Sequence, residues 1–239
     1  MHEFSRNELL LGTAATETLK NATVAVYGVG GVGSYAVEAL ARAGVGHLVL
    51  FDADTVSLTN INRQLVALHS TIGQKKVDVA KARILDINPA CSVTTHDVFL
   101  MPENMAEYPV NGYDYIVDAI DTVSAKLALI EAAHAANVPI ICAMGCGNKL
   151  HADAFTVTDL FKTNTDALAR VLRRELRLRG IKKQKVVFST EVPLTPHPAE
   201  QGDTVGQGRR QTPGSVSWVP GAAGLILAGE VVKDLLQIK

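Results

Sequence analysis

The sequence has few cysteines, no long hydrophobic run and almost no net charge, and each shortage excludes a class of protein. Three cysteines in 239 residues are an odd number and do not make a disulfide framework, which predicts a reducing compartment, the cytoplasm. No pair of CxxC motifs is present, so a structural zinc site is not expected. A net charge of −1 gives no overall attraction to nucleic acid or membrane, so a polyanionic partner requires a local patch of cations.

The hydrophobic stretches are too short to cross a membrane. The best candidate, residues 219–236, is interrupted by Glu230, Lys233 and Asp234 and predicts an amphipathic C-terminal helix; residues 1–5 show no signal-peptide pattern. A hydrophobic content of 47% with 20% charged residues is typical of a globular protein, and this length suits one domain. We therefore expect a single domain over residues 1–239 without membrane association.

A glycine-rich turn, Gly28-Val-Gly-Gly-Val-Gly33, follows an apolar run at residues 23–27 and precedes a helical pattern at residues 34–43. Strand, turn and helix in this order predict a phosphate cradle, because glycines let phosphates approach the backbone and the helix start supplies free N–H groups. A second predicted strand ends in Asp52, roughly the 20 residues further on at which a ribose-binding carboxylate is expected. The predicted nucleotide-binding residues of this unit are Gly28, Gly30, Gly31, Gly33 and Asp52.

Strand and helix patterns alternate through the first two-thirds of the chain, which is typical of a parallel sheet with helices on both faces. Further on, predicted strands at residues 155–158 and 186–189 flank a helix at residues 166–179, and residues 193–215 predict a long loop. The predicted fold class is α/β, a Rossmann-like, doubly wound and mainly parallel sheet with a C-terminal extension of the sheet. Its nucleotide-binding part covers residues 1–150, and residues 151–239 face the substrate and support a dimer.

Polar side chains after Asp52 indicate chemistry at a phosphate. Asn60, Arg63 and Gln64 follow it closely, and Lys76 begins the next predicted helix. A hydride-transfer enzyme has no use for these donors, whereas an enzyme that attacks a phosphate needs them for the charge that develops on the phosphoryl oxygens. Each one alone fits a solvated surface residue as well, but together they favour phosphoryl chemistry.

Residues Asp118-Ala-Ile-Asp121 close another predicted strand at its carboxyl end, where open α/β sheets bind ligands. A carboxylate opposite a bound triphosphate suits Mg²⁺, which keeps several of its waters. Asp121 is therefore the candidate magnesium ligand. An N-cap for the predicted helix near Ser124 is the alternative, and the two roles are compatible.

Two cysteines, Cys142 and Cys146, follow a predicted strand that ends near this site. A catalytic thiol is one interpretation and a buried structural cysteine is the other. We see no adjacent histidine or cation that would lower a thiol pKa, which favours the structural interpretation.

The predicted helix at residues 166–179 concentrates positive charge in a chain that is otherwise near neutral. Glu175 is the only acidic residue among its arginines, so we expect poor neutralisation by pairs along the helix. A polyanionic partner is at least as good an explanation as a solvated face. The candidate residues for binding it, which the resemblance described below makes candidates for tRNA, are Arg170, Arg173, Arg174, Arg177, Arg179, Lys182 and Lys183.

Taken together, these motifs resemble the adenylation domain of the ubiquitin-activating-type, ThiF-like enzymes. The motifs are the glycine turn, Asp-x-Asp at residues 52–54, Asn-x-Asn-Arg-Gln at residues 60–64, Gly-Gln-Lys-Lys at residues 73–76 and Asp-x-x-Asp at residues 118–121. Residues 4–12 also resemble the opening helix of that group. Residues 119–126, 143–149, 169–177 and 188–191 are most similar to the branch that dehydrates threonylcarbamoyladenosine in tRNA.

The resemblance implies an ATP- and Mg²⁺-dependent enzyme that adenylates a carboxylate and works as a homodimer. It implies that the glycine turn holds the phosphates and that Arg6 reaches the neighbouring subunit's nucleotide site. The remaining implied residues are Asp52, Asp54 and Gln64 for ATP, Asn60, Arg63 and Lys76 for the triphosphate during attack, and Asp121 for magnesium.

In the implied reaction, the threonyl carboxylate of the modified adenosine next to the tRNA anticodon attacks the α-phosphorus of ATP, and the activated group then closes on itself. An alternative with the same chemistry adenylates the C-terminus of a small sulfur-carrier protein, and it predicts a flat apolar docking surface. A dehydrogenase or a simple nucleotide-binding module leaves Arg63, Lys76 and Asp121 without a role. The expected partners are the modified tRNA and a second copy of the chain, with a sulfur-relay protein as a further candidate.

Overall fold

A seven-stranded sheet forms the centre of the computed structural model, which describes residues 2–197 and 213–238. The strands are β1 (Thr23–Tyr27), β2 (His47–Phe51), β3 (Ser92–His96), β4 (Tyr115–Asp118), β5 (Ile140–Ala143), β6 (Phe155–Asp159) and β7 (Lys185–Ser189). Their spatial order is β3-β2-β1-β4-β5-β7-β6. Every neighbouring pair is parallel except β6 with β7 at the edge. This confirms the predicted fold class, with β7 and β6 as the extension of the sheet.

The described α-helices cover both faces of this sheet. They are α1 (Ser5–Leu11), α2 (Thr13–Asn21), α3 (Gly33–Ala43), α4 (Lys76–Ile87), α5 (Val123–Ala136), α6 (Ala167–Leu178) and α7 (Trp218–Leu235). None of the helices in the described residues is long and apolar enough to cross a membrane. Of the predicted loop at residues 193–215, residues 198–212 lie outside the described part, and the remainder contains no helix or strand.

Alternate residues of the central strands enter two separate cores. Val24 and Val26 of β1 pack in the core formed with α3, α4 and α7. Ala25 and Tyr27 pack in the core formed with α5 and α6. All four side chains are fully buried, which explains why β1 is an unbroken apolar run instead of an alternating one.

The chain changes direction between β1 and β4. From β1 it winds outward through β2 to β3, and it then returns to add β4 on the other side of β1. Loops that leave neighbouring strands in opposite directions open a crevice at the carboxyl ends of the strands. The glycine turn follows β1 and Asp121 follows β4, so the predicted phosphate and metal residues meet at this crevice.

Helix α7 approaches α3 closely because Gly224 has no side chain. A Cβ atom at this position would lie 2.3 Å from the carbonyl oxygen of Val32 and 2.8 Å from Cβ of Tyr35. Val32 is the N-cap of α3, so this contact presses α7 against the helix that begins at the glycine turn. The packing of α7 therefore supports the position of the turn itself.

Gly224→Ala is expected to lower the free energy of unfolding by about 1–3 kcal/mol, because the added methyl group overpacks the contact between α7 and α3. Gly229→Ala is the matched control, since it lies on the same helix and an added Cβ meets no atom within 4 Å. There the higher helix propensity of alanine is expected to stabilise by up to about 1 kcal/mol. Urea denaturation followed by circular dichroism measures both. Equal effects of the two substitutions would contradict this account of the packing.

Candidate active site

A cavity of about 690 Å³ opens at the carboxyl ends of the central strands. Its walls come from the glycine turn, the loops that follow β2, β4 and β5, and the first turn of α6. Arg6, on α1, is not among its lining residues. The predicted residues that do line it are Gly28, Gly30, Gly31, Asp52, Asp54, Asn60, Arg63, Gln64, Lys76 and Asp121.

The glycine turn folds tightly on its own backbone and against β4. Gly28 has a φ of +90°, in the left-handed region that favours glycine. A Cβ atom on Gly28 would lie 2.8 Å from the carbonyl oxygen of Ala119, and one on Gly33 would lie 1.7 Å from the carbonyl oxygen of Gly28. Gly33 therefore serves the shape of the turn at the start of α3, while the other glycines of the turn face the cavity. The turn presents backbone and a helix start to a ligand, as a phosphate cradle requires.

The carboxylate of Asp52 ties the first two loops of the crevice together. Its Oδ2 accepts the N–H of Val29 at 2.6 Å, and its Oδ1 accepts the N–H of Asp54 at 2.9 Å. Burial raises the pKa of Asp52 above its usual range, while the Lys76 ammonium and these two N–H groups oppose the shift. The carboxylate is thus held rigidly on the cavity wall, where its remaining lone pairs can accept ribose hydroxyls.

The buried ammonium of Lys76 lies near the carboxylate of Asp52. Lys76 is the first residue of α4 and only 4% exposed, and its Nζ lies 2.6 Å from Oδ2 of Asp54. A buried ammonium needs such a partner, because its desolvation is costly. The second aspartate of the Asp-x-Asp motif therefore holds Lys76 on the wall of the cavity, a role that the resemblance did not assign to it.

Arg63 lies over the glycine turn. Its Cγ would be 3.6 Å from a Cβ atom on Gly31, and its Nη1 donates to the carbonyl oxygen of Thr59 at 2.9 Å and to Oδ1 of Asn62 at 3.0 Å. These contacts occupy one end of the guanidinium. Among the contacts of the described residues, its Nε and Nη2 are the donors that remain for a ligand in the cavity.

Two neighbouring amide side chains also have groups to offer to a ligand. Oδ1 of Asn60 accepts the N–H of Ser57 at 3.1 Å, so the NH₂ end of Asn60 is the one available. Oε1 of Gln64 is buried and has no hydrogen-bond partner among the described residues. A buried acceptor without a partner is costly, and in a lined cavity it indicates a place where a ligand donates.

The predicted metal ligand Asp121 is exposed on the cavity wall, at the end of a turn held by Asp118. Asp118 is fully buried; its Oδ2 lies 2.6 Å from Nζ of Lys126, and its Oδ1 accepts the N–H of Ile120 at 3.1 Å. The alternative in which Asp121 caps α5 is wrong, because Thr122 occupies the N-cap position.

No cluster of three or more metal-ligating side chains occurs in the described residues. Mg²⁺ commonly binds through one or two carboxylates, substrate phosphates and water. The exposed carboxylate of Asp121 fits that pattern when a triphosphate supplies the other ligands.

The cysteines have environments that keep their thiols protonated. Burial raises the pKa of the fully buried Cys142 well above its usual range, and it raises the pKa of Cys146 on the cavity wall to about 12. The sequence interpretation missed two cations, since Lys149 favours the Cys146 thiolate and Lys126 favours the thiolates of both cysteines. Burial outweighs both cations, and Asp166 opposes them at Cys146, so the interpretation of both cysteines as structural is supported.

A second buried ion pair grips the wall of the cavity after β5. Nζ of Lys149 lies 3.5 Å from Oδ2 of Asp166. The two side chains hold Gly145 from both sides, since Lys149 donates to its carbonyl oxygen at 2.7 Å and Asp166 accepts its N–H at 3.0 Å. Asp166 also caps α6 by accepting the N–H of Ala169 at 2.8 Å. The wall and the start of the basic helix are therefore one unit, which nothing in the spacing of these residues indicated.

The basic helix α6 is partly neutralised. Arg174 and Arg179 form ion pairs with Glu175, at 2.7 and 2.8 Å, and Arg179 also pairs with Glu131 on α5 at 3.2 Å. The expectation of poor neutralisation is therefore wrong for these two arginines. It failed because Glu175 serves both of them and because Glu131 comes from another helix.

The remaining candidate cations of this region differ in whether they contact other groups of the protein. Nη1 of Arg173 donates to the carbonyl oxygen of Thr163 at 3.0 Å, and the Arg177 guanidinium lies 5.3 Å from the ring centroid of Phe161. In the part of the chain that the structure describes, Arg170, Lys182 and Lys183 are exposed and form no ion pair.

Helix α6 begins at the cavity, because Leu168 in its first turn lines the cavity. The 12 residues of α6 extend about 18 Å away from it.

The comparisons with known proteins agree with this geometry. A model of the ThiF family matches residues 4–239. The tRNA threonylcarbamoyladenosine dehydratase of Bacillus subtilis is 48% identical over 243 residues, which cover 99% of this chain and 96% of that protein. The crystal structure of the E. coli dehydratase TcdA in complex with ATP is 36% identical, with a TM-score of 0.89, and covers 98% of this chain and 94% of that one. Its complex with AMP matches with a TM-score of 0.88, 37% identity and the same coverage.

Cys146 is expected to be a poor nucleophile in the native protein. With a pKa of about 12, its thiolate is scarce at neutral pH, so alkylation by iodoacetamide should be about 10³-fold slower than in the unfolded chain and should accelerate as the pH rises. Mass spectrometry of the peptide that contains Cys146, labelled with and without urea, measures this ratio. Similar rates in both states, or loss of turnover in Cys146→Ser, would show that the thiol is reactive after all.

Proposed function

The chain belongs to the ThiF family, and from this premise we propose that it dehydrates N6-threonylcarbamoyladenosine in tRNA by adenylating the threonyl carboxylate with ATP. The observation that carries the proposal is the convergence of the glycine turn, Arg63, Lys76 and Asp121 on one cavity. The similarity to the B. subtilis dehydratase supports the choice of substrate, because it extends over nearly the whole chain. We place this activity in the cytoplasm, and a sulfur-relay partner stays a prediction.

The cavity offers a distinct place for each part of ATP. Asp52 accepts the ribose hydroxyls, and Val98, Phe99 and Leu100 line the cavity and offer the apolar contacts that an adenine ring prefers. The phosphates then lie over the glycine turn, in reach of the backbone N–H groups at the start of α3. The E. coli relative was crystallised with ATP and with AMP, which supports an adenine nucleotide as the ligand.

In the adenylation step, a carboxylate oxygen of the substrate attacks the α-phosphorus of ATP and the bond to pyrophosphate breaks. Negative charge builds on the phosphoryl oxygens and on the leaving group, and preorganised donors lower the barrier most where that charge develops. Arg63 supplies Nε and Nη2, Asn60 supplies its NH₂ group, and Lys76 supplies an ammonium already held in place. Asp121 would hold Mg²⁺, which would neutralise charge on the triphosphate.

Ring closure follows from within the substrate. A nucleophile of the same side chain attacks the activated carbonyl, AMP leaves, and the net change is the loss of water. An intramolecular attack of this kind needs no enzyme nucleophile, since the reacting groups are already close together. The raised pKa values of Cys142 and Cys146 agree with a mechanism that uses no thiolate.

A direct test supplies the purified protein with ATP and one of three carboxylates: tRNA that carries threonylcarbamoyladenosine, the same tRNA without the modification, or a sulfur-carrier protein that ends in glycine. Of the three substrates, only the modified tRNA is expected to yield AMP and pyrophosphate. The alternative function predicts pyrophosphate and an acyl-adenylate of the carrier protein instead, because AMP stays on the carrier until a nucleophile displaces it. Product formation with the carrier and none with the modified tRNA would overturn the proposal.

Arg63→Ala is expected to reduce turnover by about 10²-fold or more while ATP binding changes little, because the guanidinium acts on charge that develops in the transition state. Asp121→Ala should instead raise the magnesium concentration needed for half-maximal turnover. Arg42→Ala, at the opposite end of α3, is the control for loss of an exposed arginine. Steady-state kinetics with a magnesium titration measure all three. Turnover of Arg63→Ala within a few-fold of the parent would remove Arg63 from the reaction.

We propose a homodimer because α1 is poorly covered by the described part of its own chain. It has no buried residue, and Leu9 and Leu10 are 89% and 85% exposed. The segment is anchored at the far end of α3, where Nδ2 of Asn7 donates to the carbonyl oxygen of Arg42 at 3.0 Å. The 11 residues of α3 separate that point from the glycine turn by about 16 Å. An Arg6 that acts in catalysis therefore acts in the partner's site.

Mixing Arg6→Ala chains with Arg63→Ala chains should restore part of the turnover that each lacks, because one site of the mixed dimer then contains both arginines. The measurement is AMP formation by mixed dimers purified with two different affinity tags. Each homodimeric variant serves as the control. No recovery in verified mixed dimers would contradict action of Arg6 across the interface.

The exposed cations of α6 and of the segment that follows it are expected to bind tRNA phosphates. Replacing Arg170, Lys182 and Lys183 with alanine should lower the affinity for all tRNAs to a similar extent. It should also reduce the slope of log affinity against log salt concentration by about 0.7–0.9 per lost contact. Lys20→Ala and Lys81→Ala, on helices of the opposite face of the sheet, are the matched controls. Filter binding at several salt concentrations measures the slope. An unchanged slope in the triple variant would place the tRNA elsewhere.

A further inference from the structure

A short segment just before α7 forms part of the cavity wall. It consists of Pro213, Gly214 and Ser215, which we call the strap, and it contains no helix or strand. Pro213 and Ser215 line the cavity together with the glycine turn. None of the roles assigned so far uses the strap, yet both of its sides carry specific hydrogen bonds.

On one side the strap is connected to Arg63. Nδ2 of Asn62 donates to the carbonyl oxygen of Ser215 at 2.9 Å. Oδ1 of the same amide accepts Nη1 of Arg63 at 3.0 Å. One asparagine side chain therefore links the strap to the guanidinium, and its orientation is set because the NH₂ and carbonyl ends each have a partner.

On the other side the strap is bound to the wall that follows β5. Oδ1 of Asn148 accepts the N–H of Gly214 at 2.6 Å, and the N–H of Asn148 donates to the carbonyl oxygen of Gly214 at 2.8 Å. Asn148 has a φ of 59°, a conformation that asparagine tolerates better than most residues. A Cβ atom on Gly147 would lie 2.7 Å from Cβ of Pro213, so the strap sits directly on the wall.

We propose that Asn62 is a positioning residue for Arg63 and that the strap, held between Asn148 and Asn62, sets the direction of the guanidinium over the phosphates. An arginine side chain has many rotamers, and holding it in one before the reaction removes an entropic cost from the barrier. Because the strap also touches the wall after β5, it aligns Arg63 with the part of the cavity beside α6. The proposal rests on the proposed function, in which Arg63 stabilises the charge on the α-phosphate.

Two substitutions interrupt the connection at different points. Asn62→Ala removes the link to Arg63, and Asn148→Gly removes the side-chain bond to Gly214 while keeping a residue that adopts positive φ. Both should lower kcat by about tenfold and leave the KM for ATP within about twofold, since the lost term belongs to the transition state. Asn137→Gly is the matched control, because Asn137 also has a positive φ, 54°, and lies at the C-cap of α5, away from the cavity.

Testing Asn62→Ala in the Arg63→Lys variant as well as in the parent protein shows whether Asn62 acts through Arg63. In Arg63→Lys, no guanidinium remains to be positioned, so adding Asn62→Ala should reduce kcat little further. Thermal unfolding of each variant identifies any that fails to fold. An equal fall of kcat in both backgrounds, or parental kcat in both Asn62→Ala and Asn148→Gly, would overturn the proposal.

A measurement that needs no tRNA separates this proposal from the proposed function. The Nε–H resonance of Arg63 is assigned by its absence from the spectrum of Arg63→Lys, with an ATP analogue bound. In the parent, this resonance should be sharp and displaced from the position of a solvent-exposed arginine. In Asn62→Ala and Asn148→Gly, it should move to the position of a solvent-exposed arginine, because the side chain then samples many rotamers. If the parent is inactive on modified tRNA, the proposed function fails, and this resonance still decides whether Asn62 positions Arg63: an unchanged signal in both variants would exclude it.

Discussion

The close approach of backbone to backbone at the glycine turn is the constraint on which the site depends. The turn places Gly28 against the carbonyl oxygen of Ala119 and Gly33 against the carbonyl oxygen of Gly28, at separations that leave no room for a Cβ atom. This contact brings the ends of β1 and β4 together at the point where the sheet order reverses. The phosphate cradle and the carboxylate of Asp121 therefore share one crevice, and α7 keeps α3 in place through its own glycine contact.

Around this crevice, the buried ion pairs hold loops in position and take no direct part in the reaction. Asp118 with Lys126 holds the turn that carries Asp121, and Asp166 with Lys149 holds the wall after β5. Breaking one member of such a pair is costly, because a buried charge then loses its partner. Among the described residues, the groups left for a ligand at the cavity are mainly donors, with the carboxylates of Asp52 and Asp121 and Oε1 of Gln64 as acceptors. Such a set suits a triphosphate under attack by an anionic nucleophile.

Local patterns made the alternation of strands and helices predictable, together with the residues that line the glycine-turn side of the cavity. The apolar run of β1, the glycine turn and the position of Asp52 follow from neighbours in sequence, and so do the helix starts at Gly33 and Lys76. The pairs Lys149–Asp166 and Asn62–Ser215 were not predictable, because they join residues that only the tertiary fold brings together. The charge of α6 was overestimated partly for the same reason, since Glu131 reaches Arg179 from another helix, and partly because Glu175 pairs with both Arg174 and Arg179.

The central claim is that a substrate carboxylate oxygen attacks the α-phosphorus of ATP. Modified tRNA whose threonyl carboxylate is labelled with ¹⁸O tests it directly, with mass spectrometry of the nucleotide products. The account predicts AMP that carries one ¹⁸O atom for each dehydrated adenosine. Unlabelled AMP, or ADP with the label in inorganic phosphate, would contradict it, because the oxygen would then not have reached the α-phosphorus.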